Sequence, residues 1–457
     1  MREVFRIFHF VSYLAFRACE GAVRMLPLDW AFLLGRAAGE VGYRCFGRRR
    51  RLALSNLRLA FGNERSEDEL HALNREHFQL LGANLLAGLK CSAMPQEKIW
   101  ERVTAEVPED RLQTGWIALI SHIGNWELFS HLGEKYPEYR FGAVYQGLAN
   151  PYIDSYLTRT RTRSGTTLFD RRRDLLRCVR FLREGGVVGV LVDQGAGYAG
   201  LWTPLFNRLT SSSTLAATLA ARTGLPVVPL SIYTSGRARW KLVISDPVFP
   251  GEDESEALTA RINGLLEEQI RRSPADWLWS HNRWKPLRPH FLFKRNQRRV
   301  FLPSGVEATA LDPFRILIVA PQDRDAAQAA LPVIRAISEG RPDNWLAVLA
   351  PAATGNIWRN EAAIRLVFEL AEGRSIVAHA AQIRQTARFD AAIFFDQDWK
   401  RALAARMAGI PIRVGHKRGW FSFLYNQHPA ESGTASNAAE SHLQIARCVG
   451  ADTNIAT

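Results

Sequence analysis

Apolar residues along this chain keep two rhythms. Apolar runs, some carrying a glycine or proline, recur at 116–120, 141–145, 187–192 and 225–230, and Lys241 leads a further one over 241–244. Such short runs, bounded by glycine, proline and polar residues, predict buried strands. Between them lie stretches with helical periodicity, at 174–183, 215–222 and 256–272. Upstream, Ser66-Glu67-Asp68-Glu69 reads as a capping box that opens a helix running through Phe78 and Leu85. Strands alternating with helices predict an α/β sheet covered on both faces. From Pro286 to Pro313 the pattern dissolves into prolines and basic residues, including Lys294-Arg295 and Arg298-Arg299, which predicts a domain boundary. A second α/β rhythm then begins. Its expected strands are 314–319, 345–349, 375–377 and 391–395, with helices at 326–338 and 362–372.

The N-terminus is apolar in a different way. Residues 7–16 are apolar apart from His9 and Ser12, but Arg6, Arg17 and Glu20 bracket them closely. A spanning helix needs about 20 predominantly apolar residues, and this run falls short. No small-residue cleavage site follows, so a secretory leader is not expected. The next apolar stretch, Trp30 to Leu34, is shorter and interrupted by Arg36. An interfacial amphipathic anchor fits residues 1–60, with Arg48 to Arg51 holding anionic headgroups at about 1 kcal/mol per basic residue. In the competing reading these helices are ordinary core, and the two are compatible.

Charge narrows the partners. The 457 residues carry a formal net charge of +14, which suits nucleic acid, anionic lipid or an acidic protein. Nothing resembles a nucleic-acid fold, and the basic residues are not interleaved with stacking aromatics on one strand, so no nucleic acid is expected. Membrane phosphate and an acidic carrier protein remain. Cys19, Cys45, Cys91, Cys178 and Cys448 are odd in number and dispersed. That spacing argues for reduced thiols in a cytosolic setting, with neither a disulfide framework nor a metal site.

Candidate chemistry sits where one run ends. After Ile120 the chain reads Ser121-His122-Ile123-Gly124-Asn125-Trp126-Glu127, followed by an expected helix from Leu128 to Leu132. A glycine-containing loop at a strand end is where open α/β sheets build sites. An imidazole oriented by a carboxylate is a general base, because the acid fixes the tautomer and stabilises the imidazolium. His122 and Glu127 are the expected base and orienting acid. No serine or cysteine nucleophile motif accompanies them, so direct transfer to an acceptor hydroxyl is the economical reading. The competing reading is a capped, solvated loop. His131 reads as a helix-face residue.

His122 to Glu127 resembles the His-x4-Glu motif of the bacterial lipid A late acyltransferases, the lauroyl/myristoyl transferase family. That wider family includes acyltransferases of other glycolipids, among them phosphatidylinositol mannosides. Further blocks follow in the family's order over roughly residues 1–290: Arg51 to Leu57, Asn150-Pro151, Arg161 to Gly165, and Gly185-Gly186 to Asp193-Gln194. Thr203 to Phe206, the Ser/Thr run 210–214, Leu219 to Gly224 and Trp279 to Lys285 complete the series. The resemblance implies an acyltransferase α/β domain over 61–290. Its reaction would move a fatty acyl chain from acyl carrier protein or acyl-CoA to a hydroxyl of a glycolipid. The protein would be peripheral or monotopic on the cytoplasmic face of the bacterial inner membrane. His122 would deprotonate the hydroxyl, with Glu127 orienting it. The thioester oxyanion needs a donor; Arg163 matches the family's arginine, and Arg161 is its close competitor. Asn125, Arg161, Asp193 and Gln194 are the expected substrate-binding residues. Two readings stand for Asp193, a site carboxylate at a strand end or one satisfied by backbone and arginine partners. For Arg163 the alternative is a solvated helix-face charge. No cofactor and no metal are implied.

Residues 314 to about 425 resemble the N-terminal half of heptosyltransferase-type glycosyltransferases, after a linker at 291–313. The carrying residues are Arg315 to Val319, Leu331 to Ala336 and Ala404 to Gly415. There is no Gly-x-Gly-x-x-Gly phosphate loop. In an ungapped reading the family's catalytic Gly-Asp falls on Asp325-Ala326, which puts alanine at the base position. Such enzymes bind a nucleotide sugar on a second Rossmann half, and Ala430 to Thr457 is too short to form one. The expectation for 314–457 is a partial, non-catalytic Rossmann-like module that could contact a sugar acceptor. Its alternative is half of a site completed by a separate chain.

Three other functions compete with the leading one. A glycerol-phosphate acyltransferase also uses a His-x4-acid pair, but its Phe-Pro-Glu-Gly segment is absent where this chain reads Val190 to Gln194. A bifunctional acyl- and glycosyl-transfer protein would use both units. A non-enzymatic binding protein would use neither, against the intact His122/Glu127 motif.

Overall fold

The structure is a computed structural model of the chain. It describes residues 2–107, 115–163, 165–251, 255–288, 290–296, 298–370, 374–417, 419–430 and 437–453, without the side chains of 2–4, 163 and 296. The chain divides into two compact α/β units, Met1–Lys285 and Pro286–Thr457.

The first unit opens with four helices, α1 (Arg2–Met25), α2 (Leu28–Cys45), α3 (Gly47–Phe61) and α4 (Glu67–Cys91). Ser66 caps α4 in a capping box with Glu69, as its sequence requires. Nine strands follow among the described residues: β1 (Val103–Glu106), β2 (Trp116–Ile120), β3 (Phe141–Tyr145), β4 (Thr167–Asp170), β5 (Val187–Leu191), β6 (Leu201–Leu205), β7 (Arg208–Ser212), β8 (Val227–Gly236) and β9 (Arg239–Ile244). Seven of them form a sheet in the order β1-β9-β8-β2-β5-β3-β4, and β6-β7 is a separate hairpin. Every neighbouring pair of the large sheet is parallel except β8–β9.

The central strand shows how the sequence dictates this. Trp116, Ala118 and Ile120 enter one core cluster with Phe32 of α2 and Ala87 of α4. Ile117 and Leu119 enter the opposite cluster with Val179, Ala216 and Ile262, which come from three helices on the other face. Side chains alternate across a strand, and burial on both faces turns the alternation into an unbroken apolar run.

Helices α2 and α4 cross unusually closely. A Cβ at Gly35 would stand 2.3 Å from the Gly82 carbonyl oxygen, and one at Gly39 would stand 2.1 Å from that of Phe78. Glycine alone permits that approach. The crossing fixes α4, whose Gly88 lies against Asn125 and Glu127. Along α1, Phe5, Ile7, Phe8, Phe10, Val11 and Leu14 are exposed. No helix among the described residues is long and apolar enough to cross a membrane.

The second unit holds β10 (Phe314–Val319), β11 (Asn344–Leu349), β12 (Ile364–Phe368), β13 (Ala391–Phe394) and β14 (Ile412–Val414), an all-parallel sheet ordered β12-β11-β10-β13-β14. Two expectations change here. The stretch 362–372 is not a helix: Ile364–Phe368 pairs with β11, while 371–373 lie outside the described residues. Conversely Ser375, expected in a strand, accepts from the Ala378 N–H at 3.3 Å and caps the helix Ile376–Thr386. A short apolar run fits either period, and the cap decides the neighbouring helix. Residues 291–313 are also more than a linker, because Phe291, Leu292 and Phe293 are buried in the second unit. Arg341, itself buried, holds them there. It forks onto Asp343 (2.8 and 2.8 Å), donates to the Phe291 carbonyl (3.1 Å), and lies 4.2 Å from the ring centres of Phe293 and Phe314.

Candidate active site

Register builds the site. β2 and β5 are parallel neighbours with Ile120 opposite Leu191. His122 and Asp193 each follow two residues later, so they leave the sheet level with one another. The His122 ring nitrogen Nδ1 lies 2.8 Å from Asp193 Oδ1. The His122 backbone N–H donates to Oδ2 at 2.8 Å, and the Trp277 indole N–H donates to the same oxygen at 2.9 Å. With Asp193 ionised, that pattern puts the ring proton on Nδ1 and leaves Nε2 as the accepting nitrogen. The His122 side chain is 14% exposed and that of Asp193 is 2% exposed, so the imidazole is reachable and its acid is not.

The electrostatics follow from that difference. Burial pulls the His122 pKa down, but the charge and hydrogen bond of Asp193 outweigh it and leave the imidazole above its ordinary value. Glu127 adds to the rise, and Arg161 opposes it. For Asp193, burial acts upward, yet the imidazole's charge and its hydrogen bond, the His122 N–H and the Trp277 indole together hold the carboxyl below its usual range.

The loop is held in place by its neighbours. Gly124 has φ 55°, and a Cβ there would stand 2.0 Å from the Ile232 carbonyl oxygen. Its N–H donates to the Asp276 carbonyl at 3.1 Å, and the Leu278 N–H donates to the His122 carbonyl at 3.1 Å. Asp276 is fixed in turn by the Thr234 N–H (2.8 Å) and hydroxyl (2.6 Å) on β8.

Glu127 takes a different partner from the one its spacing suggested. It lies on a short 3-10 helix, Trp126–His131, which begins ahead of the expected helix over 128–132, and receives Arg161 Nη2 at 2.8 and 3.1 Å. The arginine of the helix Pro151–Arg163 meets it. Asp193, expected among the substrate-binding residues, is the carboxylate hydrogen-bonded to His122. His122, Asp193, Glu127 and Arg161 thus form one electrostatic group. Asn125 is buried, and its Nδ2 has no hydrogen-bond partner among the described residues. Gln194 is exposed beside Asp193. The Arg163 side chain lies outside the described residues. No group of three His, Cys, Asp or Glu side chains among the described residues could hold a metal ion.

Several supporting residues carried no individual sequence signal. Trp277, which braces Asp193, stands just ahead of the Trp279–Lys285 block. Arg283 is buried and donates to the Thr210 hydroxyl (2.8 Å), the Ser211 carbonyl (2.6 Å) and the Ser212 hydroxyl (2.9 Å). Burial lowers its pKa to about 10, against the opposing charge of Asp193. Asn56, within the Arg51–Leu57 block, donates to the carbonyls of Trp279 (2.8 Å) and His281 (2.6 Å) and ties this segment to α3.

Ser121, next in sequence to His122, is buried and donates its hydroxyl to Gln269 at 3.1 Å.

The chain belongs to the bacterial lipid A biosynthesis acyltransferase family, whose model matches residues 6–286, and it is an acyltransferase. The lipid A biosynthesis lauroyltransferase of Escherichia coli (strain K12) is 27% identical over 274 residues, covering 58% of this chain and 88% of that protein. The lipid A biosynthesis palmitoleoyltransferase of the same organism is 25% identical over 272 residues, 57% and 86% of the two chains. A lipid A biosynthesis acyltransferase of Haemophilus influenzae is 24% identical over 247 residues, 52% and 78%. Two solved glycosyltransferases are similar in part. The Escherichia coli ADP-heptose lps heptosyltransferase II has a TM-score of 0.24 and 22% identity, over 26% of this chain and 35% of that one. The glycosyl transferase family 9 protein of Veillonella parvula has a TM-score of 0.28 and 15% identity, over 31% and 42%. This chain therefore covers less than half of either glycosyltransferase.

Proposed function

We propose that the protein transfers a fatty acyl chain from a thioester to a hydroxyl of a glycolipid such as a lipid A precursor. The donor would be acyl carrier protein or CoA, and the place the cytoplasmic face of the inner membrane. The observation that carries this reading is the His122–Asp193 pair, a partly exposed base on a buried acid. His122 Nε2 takes the proton of the acceptor hydroxyl as its oxygen attacks the thioester carbonyl. Asp193 stabilises the imidazolium that forms. Arg161, held by Glu127, supplies positive charge to the tetrahedral oxyanion. Collapse expels the thiolate, which takes the proton back from the imidazolium. The oxyanion role passes from Arg163 to Arg161 in this reading because Arg161 is the arginine that meets Glu127.

Three observations support the setting. The relatives are named for lipid A biosynthesis, α1 exposes a row of large apolar side chains, and the chain carries excess positive charge. An apolar helix face beside cations suits the surface of an anionic membrane. The test is to incubate the purified protein with acyl carrier proteins of several chain lengths and a membrane glycolipid extract, then identify the product by mass spectrometry. A glycolipid that gains one acyl chain, and stays unmodified with His122→Ala, is the expected result. Full transfer by His122→Ala would remove the mechanism.

A further inference from the structure

The helix Pro151–Arg163 presents two faces of different chemistry. Arg161 reaches Glu127 on one. On the other, Tyr152, Tyr156 and Arg159 follow one another at spacings of four and three and form a stripe toward α1. Between that stripe and α1 opens a cleft of about 350 Å³, lined by Tyr13, Leu14, Arg17, Tyr156, Arg159 and Thr160.

Its charges do not balance. Glu20, 1% exposed, accepts from the Tyr156 hydroxyl (2.5 Å) and Arg24 (2.8 Å), and lies 3.3 Å from Arg17 Nε. Arg17 also covers the Tyr156 ring, 4.1 Å from its centre. Arg6 donates to the Tyr152 hydroxyl at 3.4 Å, and the Lys90 ammonium donates to the Arg24 carbonyl at 2.7 Å. Arg159 Nε donates to the neutral Ser155 carbonyl at 3.2 Å. Asp154, on the same helix, is engaged by the Tyr145 hydroxyl and the Leu148 N–H. Two cations, Arg17 and Arg24, thus share the carboxylate of Glu20, while Arg6, Lys90 and Arg159 meet neutral oxygens.

The rim is apolar. Leu14 is 50% exposed, and within a turn of it Phe10 and Val11 are 45% and 56% exposed. A cationic wall beneath a hydrocarbon rim complements an amphiphile whose anionic head and acyl tail meet at that line. Tyrosines are the residue type that sits at such a boundary. A free anion or an acidic protein face would match the cations and leave the rim in water.

We propose that this cleft seats the phosphate of an anionic membrane phospholipid between Arg17 and Arg159, with its chains along the exposed face of α1. The occupied cleft would fasten α1 to the helix that carries Arg161, so the lipid would steady the proposed oxyanion donor. The binding stands independently of the acyl-transfer reading, and only this link to activity rests on it.

The test uses the full chain, sedimented with vesicles of phosphatidylcholine alone or containing phosphatidylglycerol, with no acyl donor present. Arg17→Gln with Arg159→Gln is expected to weaken binding to phosphatidylglycerol vesicles about thirty-fold, at about 1 kcal/mol per lost cation. Binding to phosphatidylcholine should be unchanged. Arg17→Lys with Arg159→Lys keeps the charge and should retain most of the binding, and unchanged melting of both pairs shows that they fold. Arg172→Gln with Arg180→Gln removes the same charge from exposed positions elsewhere and should lose little. Equal loss in that control would overturn the proposal, as would complete displacement from vesicles by inorganic phosphate, which marks a small-anion site. Loss of binding to acyl carrier protein with vesicle binding intact would overturn it in favour of a protein dock.

Discussion

Both units end their parallel strands in acids and a histidine, and they use them differently. In the first, Asp193 accepts from the imidazole of His122, whose side chain stays partly exposed. In the second, Asp396 accepts from the Gln322 backbone N–H (2.9 Å). Asp323 caps the helix Arg324–Ser338 through the Ala326 N–H (2.9 Å), and Asp398 caps Trp399–Met407 through the Arg401 N–H (3.0 Å). Asp325 lies exposed in the first turn of the former helix. His416 meets the Ser441 hydroxyl at 2.8 Å and the Ser441 carbonyl at 3.2 Å. A strand end delivers such residues in both places. An imidazole–carboxylate pair forms where register sets the two side chains level, and a cap forms where the carboxylate meets the first turn of a helix.

The contrast can be broken at its strongest point. His122→Ala should lower acyl transfer about 10³-fold, while His416→Ala leaves turnover unchanged; comparable losses from both would erase the distinction between the two edges. Next in size, Asp193→Asn should lower kcat about 10²-fold and also move its pH dependence. Transfer should rise with pH as the imidazole loses its proton, with a midpoint above the ordinary histidine value because Asp193 raises it. Removing that negative charge destabilises the imidazolium, so the midpoint must fall to lower pH. A midpoint that stays put or rises would contradict the coupling. Asp396→Asn, by contrast, should cost about 1 kcal/mol of stability in a denaturant titration and leave the pH profile alone.

Smaller effects sharpen the picture. Arg161→Ala should lower kcat up to about 10²-fold with little change in KM if the guanidinium acts on the transition state. A rise in KM at constant kcat would make it a binding residue. Smallest, Trp277→Phe removes one N–H bond to a charged acceptor, about 1.5 kcal/mol. Turnover should fall about ten-fold while the Asp193–His122 bond persists, and an unchanged rate would show that the indole braces nothing.

Much of this was legible in the sequence because the strands of a covered parallel sheet are unbroken apolar runs. The strands over 116–120, 141–145 and 314–319 have the bounds their patterns predict. The hairpin β6-β7 was not, since Thr203, Thr210 and Ser211 break its apolar content though all are buried. The segments 362–372 and 375–377 exchanged helix and strand because local periodicity there is ambiguous and Ser375 acts as a cap. The candidate imidazole of His122 stands out in its own loop. The carboxylate bonded to it does not, because Asp193 is 71 positions away, and adjacency of β2 and β5 is a property of sheet order. Glu127, nearer in sequence, meets Arg161.

The Asn56 clasp has a consequence for how the unit is made. It joins points 223 and 225 positions apart, an extreme separation for a single unit. Contacts that distant form late, because the entropy of closing the intervening loop comes before their reward. A nascent chain stopped short of Trp277 would already carry the imidazole and its carboxylate without the indole and carbonyls that lock them, so turnover reports a finished molecule.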